Sequence, residues 1–178
     1  MKCMIISDIH GSYPDLKRVL EIYEEENMEK LIILGDILYH GPRNDLPEGY
    51  APKKVISLLN QYKRDIIAVR GNCDAEVDQM VLEFPMRSDY HELYLDGHRF
   101  FLTHGHLYNQ DDRPLLNEGD ILMYGHFHVP ILKKEDIIIF NPSSLSLPKA
   151  GGKSYGVYEN ETLSIFSLEK ELLQTMKI

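Results

Sequence analysis

Hydrophobic positions in the first half of the chain fall into short unbroken runs that alternate with helically spaced segments. Cys3 to Ile6 reads as a buried strand. Pro14 suits a first helical turn, and Leu16, Val19, Leu20 and Tyr23 then recur on one helical face. The Glu24-Glu25-Glu26 run reads as the solvated end of that helix. Leu31 to Leu34 gives a second buried strand, followed by a Gly/Pro/Asn-rich loop from Gly41 to Pro52. Val55, Ile56 and Leu59 place a second helix, Ile66 to Val69 a third strand, and Val77, Met80, Val81 and Phe84 again keep helical spacing. This alternation predicts a parallel sheet with helical crossovers.

The second half changes character. Leu93-Tyr94-Leu95 and Phe100-Phe101-Leu102 flank Asp96-Gly97, a hairpin signal. Ile121 to Tyr124 and Ile137 to Phe140 read as further strands, and Tyr155 to Tyr158 and Leu163 to Phe166 flank Asn160-Glu161 as a last hairpin. A mostly parallel half followed by an antiparallel half predicts two packed sheets with helices outside. No repeat or linker interrupts residues 1–178, so a single domain is expected.

Composition narrows the class without identifying it. With 19 Lys+Arg against 28 Asp+Glu, the net charge of −9 argues against binding long duplex nucleic acid, which needs a basic stripe. Small phosphorylated substrates stay open to an acidic protein if metal ions supply the positive charge. Only two cysteines occur, and the first apolar run is too short for a signal core; both point to a reducing cytoplasm. No stretch approaches the roughly 20 apolar residues of a membrane span.

The informative feature is the set of polar side chains at the strand ends. Met4-Ile5-Ile6-Ser7 leads to Asp8 and His10; Leu31 to Gly35 leads to Asp36; Ile66 to Gly71 leads to Asn72. Phe100 to Thr103 leads to His104, and Ile121 to Gly125 leads to His126 and His128. Ligands of open α/β sheets bind beyond the carboxyl ends of strands. Residues i and i+2 of an extended segment share a side, so Asp8/His10 and His126/His128 are each expected to present two side chains together. Two carboxylates, one amide and four imidazoles are too many donors for one tetrahedral ion and suit two metals sharing a carboxylate. Each piece alone has a plainer reading as a turn, a cap or surface decoration; their joint placement at successive strand ends carries the inference.

Asp8-Ile9-His10-Gly11, Gly35-Asp36, Gly71-Asn72, Thr103-His104-Gly105-His106 and Gly125-His126-Phe127-His128 resemble the blocks of the calcineurin-like metallophosphoesterases. Gly41-Pro42-Arg43-Asn44, Leu46-Pro47-Glu48-Gly49-Tyr50 and Arg70-Gly71-Asn72-Cys73-Asp74 narrow the likeness to the small bacterial YfcE-like phosphodiesterases. The resemblance implies a four-layer αββα sandwich, two mixed sheets flanked by helices, with two divalent metals over the strand ends. One metal would take Asp8, His10, Asp36 and His128; the other would take Asp36, Asn72, His104 and His126. Asp36 and Asn72 then also count as catalytic, and a hydroxide bridging the metals would attack a phosphodiester in line. Manganese is the expected metal, with Zn²⁺, Fe²⁺ and Ni²⁺ compatible with the same donors.

Several positions depart from that pattern or carry weaker claims. Cys73 stands where many relatives have a His that assists the leaving oxygen, and a thiol is a poor general acid. His40 could replace that histidine or orient Asp36. Arg43, Asn44 and Arg70 are candidates for binding substrate phosphate, against a plainer loop-anchoring role for Arg70 above all. His106 competes with His104 on spacing alone. Phe127 occupies a position often held by Thr, and Ser143 one often held by Gly, which would strain a tight turn. Two rival readings stay in play: a phosphomonoesterase or nucleotide hydrolase with the same core, and a non-catalytic protein-binding scaffold of the same fold, as in the retromer subunit that shares it. Homo-oligomer formation through an exposed apolar face is left open.

Overall fold

The computed structural model describes residues 1–178. The chain forms β1 (Cys3–Ile6), α1 (Tyr13–Glu25), β2 (Lys30–Ile33), α2 (Pro52–Leu59), β3 (Ile66–Ala68), β4 (Tyr90–Leu95), β5 (His98–Thr103), β6 (Ile121–Met123), β7 (Pro130–Lys134), β8 (Ile138–Pro142), β9 (Ser154–Glu159), β10 (Thr162–Ser167) and β11 (Leu172–Lys177). These strands make a six-stranded sheet in the order β11-β10-β9-β1-β2-β3 and a five-stranded sheet in the order β4-β5-β6-β8-β7. β1, β2 and β3 run parallel, as do β5, β6 and β8. Both sheets are mixed, as the fold expectation required. They are not divided by halves of the sequence, however, because the C-terminal strands return to flank β1 through the antiparallel pair β1–β9.

The alternation of side chains along β1 and β2 builds two cores at once. Met4, Ile6, Leu31 and Ile33 pack with Leu16, Val19 and Leu20 of α1 and Val55 and Leu59 of α2. Cys3, Ile5, Ile32 and Leu34 face the other way and meet Phe100, Leu102, Ile121, Met123 and Phe140 of the second sheet. Gly156 in β9 makes that second core fit: a Cβ there would sit 2.4 Å from Cζ of Phe140 and 3.3 Å from Cβ of Ile5. The aromatic ring occupies the space that the missing side chain leaves.

The helical layers are uneven. Both α-helices lie against the first sheet, whereas the outer face of the second is covered by loop: Phe101, Leu122, Tyr124, Ile137 and Ile139 pack under Tyr108 and Leu116. The fourth layer of the expected sandwich is therefore irregular chain rather than helix. The helix expected from Val77 to Phe84 is a 3-10 turn over Glu76–Met80. Val77 and Met80 are exposed, while Leu82, Phe84 and Met86 are buried at alternate positions. The Gln79 side chain holds that extended segment by donating to the Leu82 and Phe84 carbonyls and accepting from the Met86 N–H.

Candidate metal centre

All seven donor side chains converge where the carboxyl ends of β1, β2, β3, β5 and β6 meet. The route is not the one the i, i+2 argument supplies. Asp8, His10, Asp36, His126 and His128 all have positive φ, between 47° and 62°, so the segments after the strands are left-handed turns rather than extended chain. Such backbone is strained for residues other than glycine, by on the order of 1–2 kcal/mol each, although Asp and His tolerate it better than most. It throws Asp8 and His10 into the same site and sends His126 and His128 to opposite halves of it. Ser143 shares the conformation, with φ 71°.

Neighbouring backbone locks this strained arrangement. His10 donates its Nδ1–H to the Tyr39 carbonyl (2.8 Å), His104 to the Leu34 carbonyl (2.7 Å) and His128 to the Leu147 carbonyl (2.6 Å). A carbonyl can only accept, so each of these imidazoles carries a proton on Nδ1, and Nε2 is the nitrogen it turns inward to offer a cation. His126 is oriented oppositely, with Nδ1 directed inward. Asp8 Oδ2 accepts from the Ser7 hydroxyl (2.6 Å) and the His126 N–H (2.9 Å), leaving Oδ1 to face the histidines. Asp36 Oδ1 accepts from the Cys73 N–H (2.8 Å), leaving Oδ2 free.

The inward atoms fall into two groups. In one, His10 Nε2 and His128 Nε2 are 3.4 Å apart, and Asp8 Oδ1 lies 3.1 Å from His128 Nε2. In the other, His104 Nε2 lies 3.1 Å from Asn72 Oδ1 and 3.2 Å from His126 Nδ1. Asp36 Oδ2 stands between them, 3.7 Å from His10 Nε2 and 3.4 Å from His104 Nε2. With Nδ1 of His10, His104 and His128 already donating, the neutral rings would set lone pairs against lone pairs. Such a cluster fits cations, and Asp8–His10–His128 and Asp8–Asp36–His104 each bring three donor atoms within 4.8 Å of one another.

The electrostatics show the same demand for positive charge, met on His104 by a proton where no cation stands. Burial opposes charge on His104, but hydrogen bonding to Asp36 and the charges of Asp8 and Asp36 outweigh it and raise its pKa to about 9. Burial lowers His126 to about 4, helped by the neighbouring His104, so its lone pair is free at neutral pH. Burial would raise the Asp36 carboxyl, yet His104 and the Cys73 N–H hold it well below the usual carboxylate range. Burial and the Asp36 charge push the Cys73 thiol up, so it stays protonated.

The remaining candidates divide. Arg43, Asn44 and Cys73 line a cleft of about 230 Å³ above Asp36, Asn72, His126 and His128. Arg70 is held by Asp89 at 2.5 Å and is absent from the lining of that cleft. His40 packs edge-on between Tyr39 and Tyr50 and forms no hydrogen bond to Asp36. His106 packs beside the His104 ring without joining the donor set. The Phe127 ring lies 5.2 Å from that of His126.

Four further residues, none of them a predicted site residue, shape the centre. The buried Asp74 carboxylate accepts from the N–H groups of Asp36 (2.8 Å), Ile37 (2.8 Å) and Gly71 (2.7 Å), tying the turn after β2 to the turn after β3. The Ser144 and Ser146 hydroxyls both donate to the Asp8 carbonyl. Lys149 joins Arg43 at the cleft. Asp74 follows Gly71-Asn72-Cys73, which was its only signal; the serines and Lys149 lie far along the chain and had none.

The calcineurin-like phosphoesterase superfamily domain matches residues 1–163. Phosphodiesterase YfcE of Escherichia coli K12 is 50% identical over 173 residues, 96% of this chain and 94% of that protein. Phosphodiesterase MJ0936 of Methanocaldococcus jannaschii is 26% identical over 90% of this chain and 94% of that protein. A solved structure of YfcE, described as a phosphoesterase from E. coli, superposes with a TM-score of 0.97 at 49% identity over the full length of both chains.

Proposed function

The chain belongs to the calcineurin-like phosphoesterase superfamily and is a metal-dependent phosphoester hydrolase, and from that premise we propose that it hydrolyses small phosphodiesters with two divalent cations at the strand-end cluster. The observation that carries the reading is the position of Asp36 Oδ2 between two groups of inward-facing imidazole nitrogens. One cation is assigned to Asp8, His10, Asp36 and His128, the other to Asp36, Asn72, His104 and His126. Two ions sharing a carboxylate would lower the pKa of water and neutralise the charge on phosphoryl oxygens. Manganese suits the mixed carboxylate, amide and imidazole donors.

What the chain itself contributes is placement. Backbone carbonyls fix the tautomers of His10, His104 and His128. Asp74 holds Asp36 and Asn72 in register, and Arg43 and Asn44 line the cleft where substrate phosphate groups would bind. The Cys73 thiol lies at the cleft with its pKa pushed up, and His40 does not line the cleft, so neither is a strong donor to a departing oxygen. Diesters with acidic alcohols are therefore the best substrates. The phosphodiesterase names of the relatives at 50% and 26% identity favour diesters over monoesters, and retention of all seven donors argues against a purely scaffolding role. Two unpaired cysteines suit a reducing cytoplasm; no helix is long and apolar enough to cross a membrane.

Chelator-stripped protein is expected to lose hydrolysis of bis(p-nitrophenyl) phosphate and to regain it with Mn²⁺. It should turn over p-nitrophenyl phosphate more slowly than the diester. Faster monoester turnover would overturn the diester assignment.

A further inference from the structure

Most residues lining the cleft above the donor cluster are polar or charged, and no Phe, Tyr or Trp side chain lines it. Nucleobase stacking on such a ring is therefore not how it holds a substrate arm. Instead, two cations reach it from separate loops: Arg43 from the segment between β2 and α2, and Lys149 from the segment between β8 and β9.

Lys149 is placed there by the candidate metal ligand beside it. His128 donates its Nδ1–H to the Leu147 carbonyl (2.6 Å), and the Lys149 N–H donates to the His128 carbonyl (2.8 Å). These two hydrogen bonds fix the root of the Lys149 side chain relative to His128. Other nearby cations are engaged: Arg70 by Asp89 and Lys153 by Asp15. Arg43 and Lys149 have no carboxylate partner and face the same small volume.

Charge then bounds the substrate. A simple phosphodiester carries one negative charge, which two cations at the donor cluster would already meet. Two further cations over the same cleft are in excess for a diester with neutral arms, and a second anion would restore the balance. We infer that Lys149, together with Arg43, forms a second anion subsite, and that the preferred substrates are phosphodiesters bearing a further anionic group such as a phosphate on one ester arm. The inference rests on the phosphodiesterase reading. Arg43 supplies a planar two-pronged donor and Lys149 a flexible point charge.

The test uses the metal-loaded full chain and thymidine 5′-(p-nitrophenyl phosphate) with and without a 3′-phosphate, with bis(p-nitrophenyl) phosphate as reference. The 3′-phosphate is expected to lower KM by about tenfold, the effect of one charge-assisted hydrogen bond. Lys149→Gln should abolish that ratio and Lys149→Arg should keep it. Calorimetric titration with thymidine 3′,5′-bisphosphate and thymidine 5′-phosphate should give the same ratio of affinities without turnover. Equal KM for the two nucleotide diesters in the native protein, or a ratio untouched by Lys149→Gln, overturns the subsite. Absence of bis(p-nitrophenyl) phosphate hydrolysis overturns the phosphodiesterase reading instead, and the titration then decides the subsite alone.

Discussion

Asp74 shows how much of the centre depends on a residue that would touch no metal. Its buried carboxylate satisfies three backbone N–H groups, two beside Asp36 and one beside Asn72. Burial pushes its carboxyl up to about 6 in spite of those donors, so it is ionised and accepting at neutral pH. Asp74→Ala would strand three buried donors, each costing about 1–3 kcal/mol without full additivity. The expected result is a fall in unfolding free energy of roughly 3 kcal/mol in urea titration, with weaker metal binding. An unchanged midpoint and unchanged metal content would remove Asp74 from the account. The donor residues themselves were legible because their chemistry is rare and they recur after each strand. Their backbone was not: the left-handed turns at Asp8, His10, Asp36, His126 and His128 replace the extended geometry that spacing suggested. Only tertiary constraint holds Asp and His in such turns at five positions.

At the level of elements, strands read well where both faces are buried and poorly at the edge strands β7 and β11. β1, β2, β6 and β8 have no exposed position and are apolar but for Lys30 and Asn141. β7 begins with Pro130 and ends with Lys133 and Lys134, and β11 is largely exposed; neither shows the apolar signal of a core strand. The segment around Val77 failed for the opposite reason, since Val77, Met80 and Val81 of its helical spacing are exposed. Gly156 gave no signal either, because its role depends on Phe140 in the other sheet. Gly156→Ala should force the two sheets apart locally and destabilise the protein by about 1–3 kcal/mol, read as a lower urea midpoint. A midpoint equal to that of the native chain would mean the Phe140 ring is free to move aside.

For the molecule as a whole, net charge and site charge are separate quantities. The chain carries −9, yet its carboxylates at the strand ends face imidazole nitrogens rather than solvent, and Asp8 and Asp36 are buried. Cations held there would turn the potential positive where a phosphodiester must bind, with Arg43 and Lys149 adding to it at the cleft. That arrangement requires both sheets, since Asp8, Asp36 and Asn72 come from one and His104, His126 and His128 from the other. The sheets are joined by the core of Ile5, Ile32, Phe100 and Phe140. At this junction two ions would share one carboxylate, that of Asp36. Metal analysis of the purified chain and of Asp36→Asn after Mn²⁺ loading tests it most directly. Two ions per native chain, both lost or greatly weakened in Asp36→Asn, is the predicted result; a single ion per native chain, or unchanged content in the variant, would contradict it.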